Sequence, residues 1–168
     1  GTGLLVSGRR QGRTPDAWLD AAVASMTTSN RAASEVLVAH GIGGATDVTG
    51  FGLLGHAAEM ARTSGTRLVV DAPALPALPG ALEVAAAGVE TGGAGHNRRA
   101  VADLLERDAA VDRAREALAF DPQTSGGLLA AVPESILGAV LADLAEAGLT
   151  PAVIGHVESA DGPGLGLV

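Results

Sequence analysis

The sequence predicts an α+β domain in which helices cover one face of a mainly antiparallel or mixed sheet. Apolar residues recur at helical spacing in several capped stretches, and shorter runs alternate or stay apolar as strands do. The two kinds of segment mix without a regular β–α–β rhythm, which argues against a doubly wound parallel sheet. At 168 residues the chain suits one domain and can bury about two thirds of the surface its unfolded form exposes.

In chain order, "TPDAWLDAAVASMTTSN" is the first helix expected. Thr14 is a candidate cap, Pro15 and Asp16 suit the first turn, and Trp18, Leu19, Ala22, Val23 and Met26 form the apolar side. A second helix is expected over residues 31–39, capped by Ser29 or Asn30, with Glu35 on its polar face and Gly41 stopping it. "HGIGGATDVTG" follows as loop. Residues 53–63 read as a third helix with Leu53, Leu54, Ala57, Ala58, Met60 and Ala61 on one side. "TRLVVDA" is β-like. A short helix near residues 81–87 ends at Gly88, "ETGGAGHN" is loop, and a charged helix is expected over residues 99–105. "LLAAV" reads as a strand, "PESILGAVLADLAEAG" as a helix, and "TPAVIGHV" as a strand. The closing "GPGLGLV" is read as an edge strand or a tail.

Composition narrows the function. The hydrophobic fraction is 47%, aromatics are only 2%, and mean hydropathy is +0.30. A packed core of Ala, Val and Leu follows, and global disorder does not. The formal charge is −8, and all 11 basic residues are arginine. An acidic surface without an arginine-aromatic stripe disfavours nucleic-acid binding. Without lysine the chain supplies neither a P-loop lysine nor a Schiff-base amine. Without cysteine it forms no disulfide, thiolate metal site or thiol nucleophile. No run reaches the ~20 apolar residues of a membrane helix, residues 1–14 do not read as a signal peptide, and a cytoplasmic setting is expected.

"ATDVTGFGLLGH", residues 45–56, is the segment richest in chemistry. Asp47 ahead of a Thr-Gly turn can simply cap that turn. The alternative is a divalent-metal site. Gly50 and Gly52 let the backbone approach a ligand, the helix that follows offers its positive end, and a carboxylate beside an anion is favourable when Mg²⁺ bridges them. Thr49, Gly50 and Gly52 are the candidate nucleotide-phosphate contacts, and Asp47 is the candidate metal ligand. "DPQTSGG", from Asp121 to Gly127, reads as a turn, or as an anion site using Thr124, Ser125 and glycine amides. His40, His56, His96 and His156 share no metal-binding spacing, although His56 lies four residues past Gly52. Arg98 and Arg99 are solvated arginines by default, or anion contacts. There is no G-x-S-x-G elbow.

Taken in order, "ATDVTGFGLLGHAAEMA", "LPALPGALEVAAAGVETGGAGHNRRAV" and "FDPQTSGGLLAAVP" resemble the selenophosphate synthetases (selenide, water dikinases). So do "GTGLL" and "NRAASEVL", as the start of a C-terminal domain. The likeness covers almost the whole chain. The wider superfamily contains aminoimidazole ribonucleotide synthetase, thiamine-monophosphate kinase and a hydrogenase-maturation protein, and "DPQTSGG" after "TDVTGFG" points to the selenium member. The resemblance implies the C-terminal-domain fold of that superfamily over residues 1–168. It also implies that an N-terminal ATP-binding domain, with the catalytic Cys or selenocysteine and Lys, is absent. The family makes selenophosphate from selenide, ATP and water, releases AMP and phosphate, requires Mg²⁺, and is expected to dimerise when full length. Asp47 is the metal ligand that maps onto this chain. No catalytic residue maps here, so the chain alone is expected not to turn over ATP. A non-catalytic scaffold or dimerisation domain, and a related small-molecule kinase or synthetase, are the competing readings.

Overall fold

The computed structural model describes all residues, Gly1–Val168. Eight helices and six strands run in the order α1 (Thr2–Arg10), α2 (Asp16–Thr27), α3 (Arg31–Ala39), β1 (Ala45–Asp47), α4 (Gly52–Ser64), β2 (Arg67–Val70), α5 (Ala81–Ala86), α6 (Ala94–Ala100), β3 (Leu105–Arg107), α7 (Arg113–Ala119), β4 (Leu128–Ala130), α8 (Glu134–Glu146), β5 (Gly155–Glu158) and β6 (Gly164–Leu167). The class is α+β, as the sequence predicts.

The sheet is mixed and divided in two. A four-stranded sheet has the order β3-β6-β2-β5. β2 is antiparallel to β5 but parallel to β6, and β6 is parallel to β3. β1 and β4 form a separate antiparallel pair with Ala45 opposite Ala130 and Asp47 opposite Leu128.

Strand alternation sorts the larger sheet into two faces. Leu68, Val70, Leu165 and Leu167 enter the main core, where α4 lies against β2 and β6. Ala57, Ala58 and Ala61 on α4 are fully buried, and their small side chains let the helix sit close. The opposite face carries Arg67, which reaches Glu106 on β3 (2.8 Å) and Glu158 on β5 (3.3 Å). α4 therefore covers one face, and the other carries Arg67 and its carboxylate partners beside buried Val69.

Several expectations need correction. Residues 2–10 form α1, whose Leu4 and Leu5 are buried in the core. Its glycines disguise it, because glycine disfavours helix. Here they are needed for contact: a Cβ on Gly8 would stand 2.5 Å from Thr14 Oγ1 and 2.8 Å from Val84. Thr14 does not cap α2. Its buried hydroxyl donates to Leu5 O at 2.8 Å, and Pro15 occupies the cap. Ser29, ahead of α3, accepts the Arg31 N–H at 3.2 Å.

The helix expected over residues 99–105 is displaced. α6 ends at Ala100, and Leu105 pairs with Leu165 as strand. The loop reading of residues 40–50 misses β1. α7 was not anticipated, although Asp112 Oδ1 caps it by accepting from Ala114 N (2.9 Å) and Arg115 N (3.2 Å). β6 is an interior strand, neither an edge nor a tail.

Candidate functional site

β1 delivers Asp47 to the start of a four-residue loop that feeds α4. Alternation continues past the strand: Asp47 is exposed, whereas Val48 is buried at 6% exposure and anchors the loop from below. The backbone of "DPQTSGG" braces this loop. Val48 N–H donates to Gly127 O (2.9 Å), Gly126 N–H donates to Val48 O (3.0 Å), and Gln123 N–H donates to Thr49 O (3.1 Å).

Two buried side chains complete the bracing. Asn97, on α6, is 3% exposed, and its Nδ2 donates to Gly50 O (3.0 Å) and Phe120 O (3.1 Å). His56, on α4, accepts the Thr49 N–H at Nε2 (3.1 Å), with Thr49 Oγ1 also at 3.1 Å. Three segments separated in sequence thus converge on one loop, through backbone bonds and two side chains.

The convergence assigns different work to the residues singled out from the sequence. Thr49 commits its N–H and hydroxyl to His56, and Gly52 gives its N–H to Thr49 O at 3.0 Å. Gly52 is required for another reason as well. Its φ is +70°, and a Cβ there would lie 2.9 Å from the Phe120 carbonyl. Gly50 is exposed and offers its carbonyl to Asn97. Asp47 differs from all three, since its carboxylate enters no ion pair or hydrogen bond. It shares an open groove of about 320 Å³ with Leu37, Val38, Ile42 and Leu128.

Asp121, at the head of "DPQTSGG", is 1% exposed. Its Oδ2 accepts from Leu4 N in the first turn of α1 (3.1 Å) and from Gln123 Nε2 (2.7 Å). Burial pushes the Asp121 carboxyl above its usual range; the hydrogen bonds from Leu4 and Gln123 oppose this. Gln123 Oε1 accepts from Thr2 N (3.3 Å) and Thr2 Oγ1 (3.0 Å). The segment is therefore a turn that holds the start of α1. Ser125 Oγ donates to Thr28 O at 2.5 Å, and Thr124 is exposed.

The remaining candidates disperse. Arg98 pairs with Glu90 (3.2 Å) and Glu116 (3.7 Å), with its guanidinium 5.2 Å from the Phe120 ring centre. Arg99 and His96 are exposed. His40 meets Asp143 at 2.7 Å, and His156 meets Glu158 at 3.1 Å. No group of three or more His, Cys, Asp or Glu side chains is placed to hold a metal ion.

The profile of the AIR synthase related protein, C-terminal domain, matches residues 3–168. This chain belongs to that family. Among curated proteins it is 39% identical over 163 residues to the selenide, water dikinase of Porphyromonas gingivalis, covering 96% of this chain and 46% of the relative. It is 42% identical over 156 residues to the selenide, water dikinase of Agathobacter rectalis, covering 93% and 45%. The chain spans about half the length of the curated relatives it matches. Among solved structures, thiamine-monophosphate kinase from Stenotrophomonas maltophilia K279a superposes with a TM-score of 0.63 at 18% identity, over 99% of this chain and 46% of that one. That likeness bears on the fold alone.

Asp47 supplies an exposed carboxylate oxygen, a ligand type that Mg²⁺ accepts. The ion takes oxygen ligands, keeps several waters, and is commonly held by one or two carboxylates together with substrate phosphates. One exposed carboxylate free of any cation fits a contributing ligand, and no second carboxylate makes a self-sufficient cage. Asn97 was missed in the sequence because attention to "GGAGHNRR" falls on its arginines. His56 was legible only as a neighbour of the loop.

Proposed function

We propose that this chain is the C-terminal domain of a two-domain selenide, water dikinase, paired with an N-terminal half that binds ATP and carries the catalytic groups. The whole protein would make selenophosphate from selenide, ATP and water, release AMP and phosphate, work in the cytoplasm, and form a homodimer. The likeness of nearly the full chain to several proteins of that name supports this reading. No helix here is long and apolar enough to cross a membrane.

The single observation that carries the site assignment is the free, exposed carboxylate of Asp47 on a loop that everything around it holds still. Bound there, Mg²⁺ would neutralise charge on the phosphate oxygens during transfer. Asp47 would hold one coordination position from this side of the cleft. Val48 and the bonds to residues 123–127 keep that carboxylate at the surface. Thr49 and Gly52 shape the loop, and Gly50 leaves its outer side open to a phosphate.

The test joins this domain to an ATP-binding N-terminal half and follows AMP formation from ATP and selenide. Asp47→Asn should cut turnover on the order of 10²-fold while far-UV circular dichroism stays unchanged. Turnover within a factor of about two of the parent, with the same Mg²⁺ dependence, would refute the assignment. AMP without selenide dependence would favour a related kinase or synthetase. No nucleotide turnover in any pairing would favour a scaffold or dimerisation role.

A further inference from the structure

His56 is 6% exposed, one turn into α4. Burying a polar ring is costly unless its nitrogens are bonded. Nε2 accepts the Thr49 main-chain N–H, so in the neutral ring the proton sits on Nδ1. Nδ1 is buried without a hydrogen-bond partner, and the nearest acid, Glu59 Oε2, is 3.8 Å away. An aliphatic side chain would fill this space without an orphaned donor. What the ring provides in exchange is an acceptor at Nε2 for Thr49.

That acceptor matters because of where Thr49 lies. The bond turns the Thr49 N–H and hydroxyl inward, two residues after the outward Asp47 and one before the open Gly50. The same ring lies 5.7 Å from the Phe51 ring at a 51° tilt, beneath a Phe that is 57% exposed. His56 therefore touches both residues that flank Gly50. We propose that His56 is a positioning residue: its Nε2 locks the 48–51 loop in the form that presents Asp47 to a divalent cation. This rests on the reading of Asp47 as a metal ligand.

The experiment separates the hydrogen bond from packing. His56→Gln would place an amide oxygen near the Nε2 position, whereas His56→Leu fills the volume without an acceptor. Amide exchange at Thr49 and Mn²⁺-induced NMR broadening at residues 46–50 are measured on this chain. His56→Leu should lower Thr49 protection about ten-fold, the scale of one hydrogen bond, and weaken the Mn²⁺ effect, while His56→Gln retains both. Unchanged Thr49 protection in the His56→Leu variant, or equal losses in both variants, would overturn the proposal. Should the His56→Leu variant not fold, the imidazole ¹⁵N shifts of the parent decide. A bare Nε2 supports the proposal, and a protonated Nε2 refutes it. Asp47→Asn isolates the underlying reading. Loss of Mn²⁺ broadening with Thr49 still protected supports it. Broadening unaffected by Asp47→Asn removes the metal role, and with it the purpose assigned to His56, even where the Thr49 bond is found.

Discussion

Replacing Gly52 with alanine separates the two demands that its position makes. Gly52 opens α4 at φ +70°, and a Cβ there would meet Phe120 C and O at 2.9 Å and Asp121 O at 3.2 Å. These are main-chain atoms in the turn that braces the Asp47 loop, so they cannot swing aside as a side chain could. The left-handed conformation costs an L-residue about 1–2 kcal/mol, partly offset by a stiffer unfolded chain. Forcing the neighbouring backbone to move adds about 1–3 kcal/mol. Gly52→Ala should therefore destabilise by about 2–4 kcal/mol, a large share of a typical domain's stability. Gly65 supplies the control at the other end of α4. Its φ is +68°, but nothing lies within 4 Å of a Cβ there. Gly65→Ala should cost only about 1 kcal/mol, the conformational part alone. Urea unfolding followed by circular dichroism measures both. Equal losses, within about 0.5 kcal/mol, would show that contact with the Phe120 carbonyl carries no weight and that the loop does not rest on that turn.

Asn97→Ala should destabilise by about 1–3 kcal/mol, since it strands the buried carbonyl of Phe120 and removes the bond to Gly50; urea unfolding measures the cost, and amide shifts should move in both the 48–52 and 120–127 segments. Asp121 gives a pH signature. With its carboxyl raised by burial, the folded chain holds that proton over a range where the unfolded chain, near the ordinary value of 3.8, has lost it. Its contribution is therefore complete below about pH 3.8 and is lost as pH rises through the folded value. Asp121→Asn should flatten that decline in thermal melts taken from about pH 4 to pH 7, and a slope equal to the parent's would show that the carboxyl is not perturbed. Arg67→Met should cost at most about 1 kcal/mol in low salt and less in high salt, because its carboxylate partners are largely exposed; unfolding in the two salts checks this.

Legibility followed how each segment acquires its structure. α3, α4 and α8 carry their own periodicity and stop signals, so their existence and approximate limits were readable. β2 was readable as a dense apolar run. α1 was not, because Gly3 and Gly8 lower local helix propensity in order to meet Asp121 and Pro122 in one case and Thr14 and Val84 in the other. β1 and β3 are three residues long, too short to display a period, and exist through partners at 128–130 and 165–167. β6 reads as "GLGL", a weak strand locally. It becomes an interior strand because Leu165 and Leu167 enter the core while Gly166 makes room beneath Arg67. The site shows the same split. Asp47 stands out as a candidate because an acid beside glycines is a local pattern, whereas its lack of an ion pair is visible only in the fold. The bracing by Asn97 and by Gln123 N–H is not legible, because each bond joins segments that only the fold brings together.

Two aspartates in the same cluster of motifs show why position in the fold must decide function. From sequence, Asp47 before Val-Thr-Gly is the candidate metal ligand and Asp121 before Pro-Gln-Thr the start of a turn, although both open glycine-bearing segments. In the structure Asp121 is enclosed and its carboxylate already accepts from Leu4 and Gln123. A ligand there would have to displace bonds that hold α1, at a cost of several kcal/mol for an uncompensated buried charge. Asp47 has no such obligations, and coordinating a cation would require only partial loss of its water. The fold thus uses one acid to fasten the first helix to the 121–127 turn, and that turn to fasten the loop on which the other acid stands. The proposed ion-binding role falls to Asp47 because residues 123–127, His56 and Asn97 brace its loop from beneath while its own carboxylate is left unmatched.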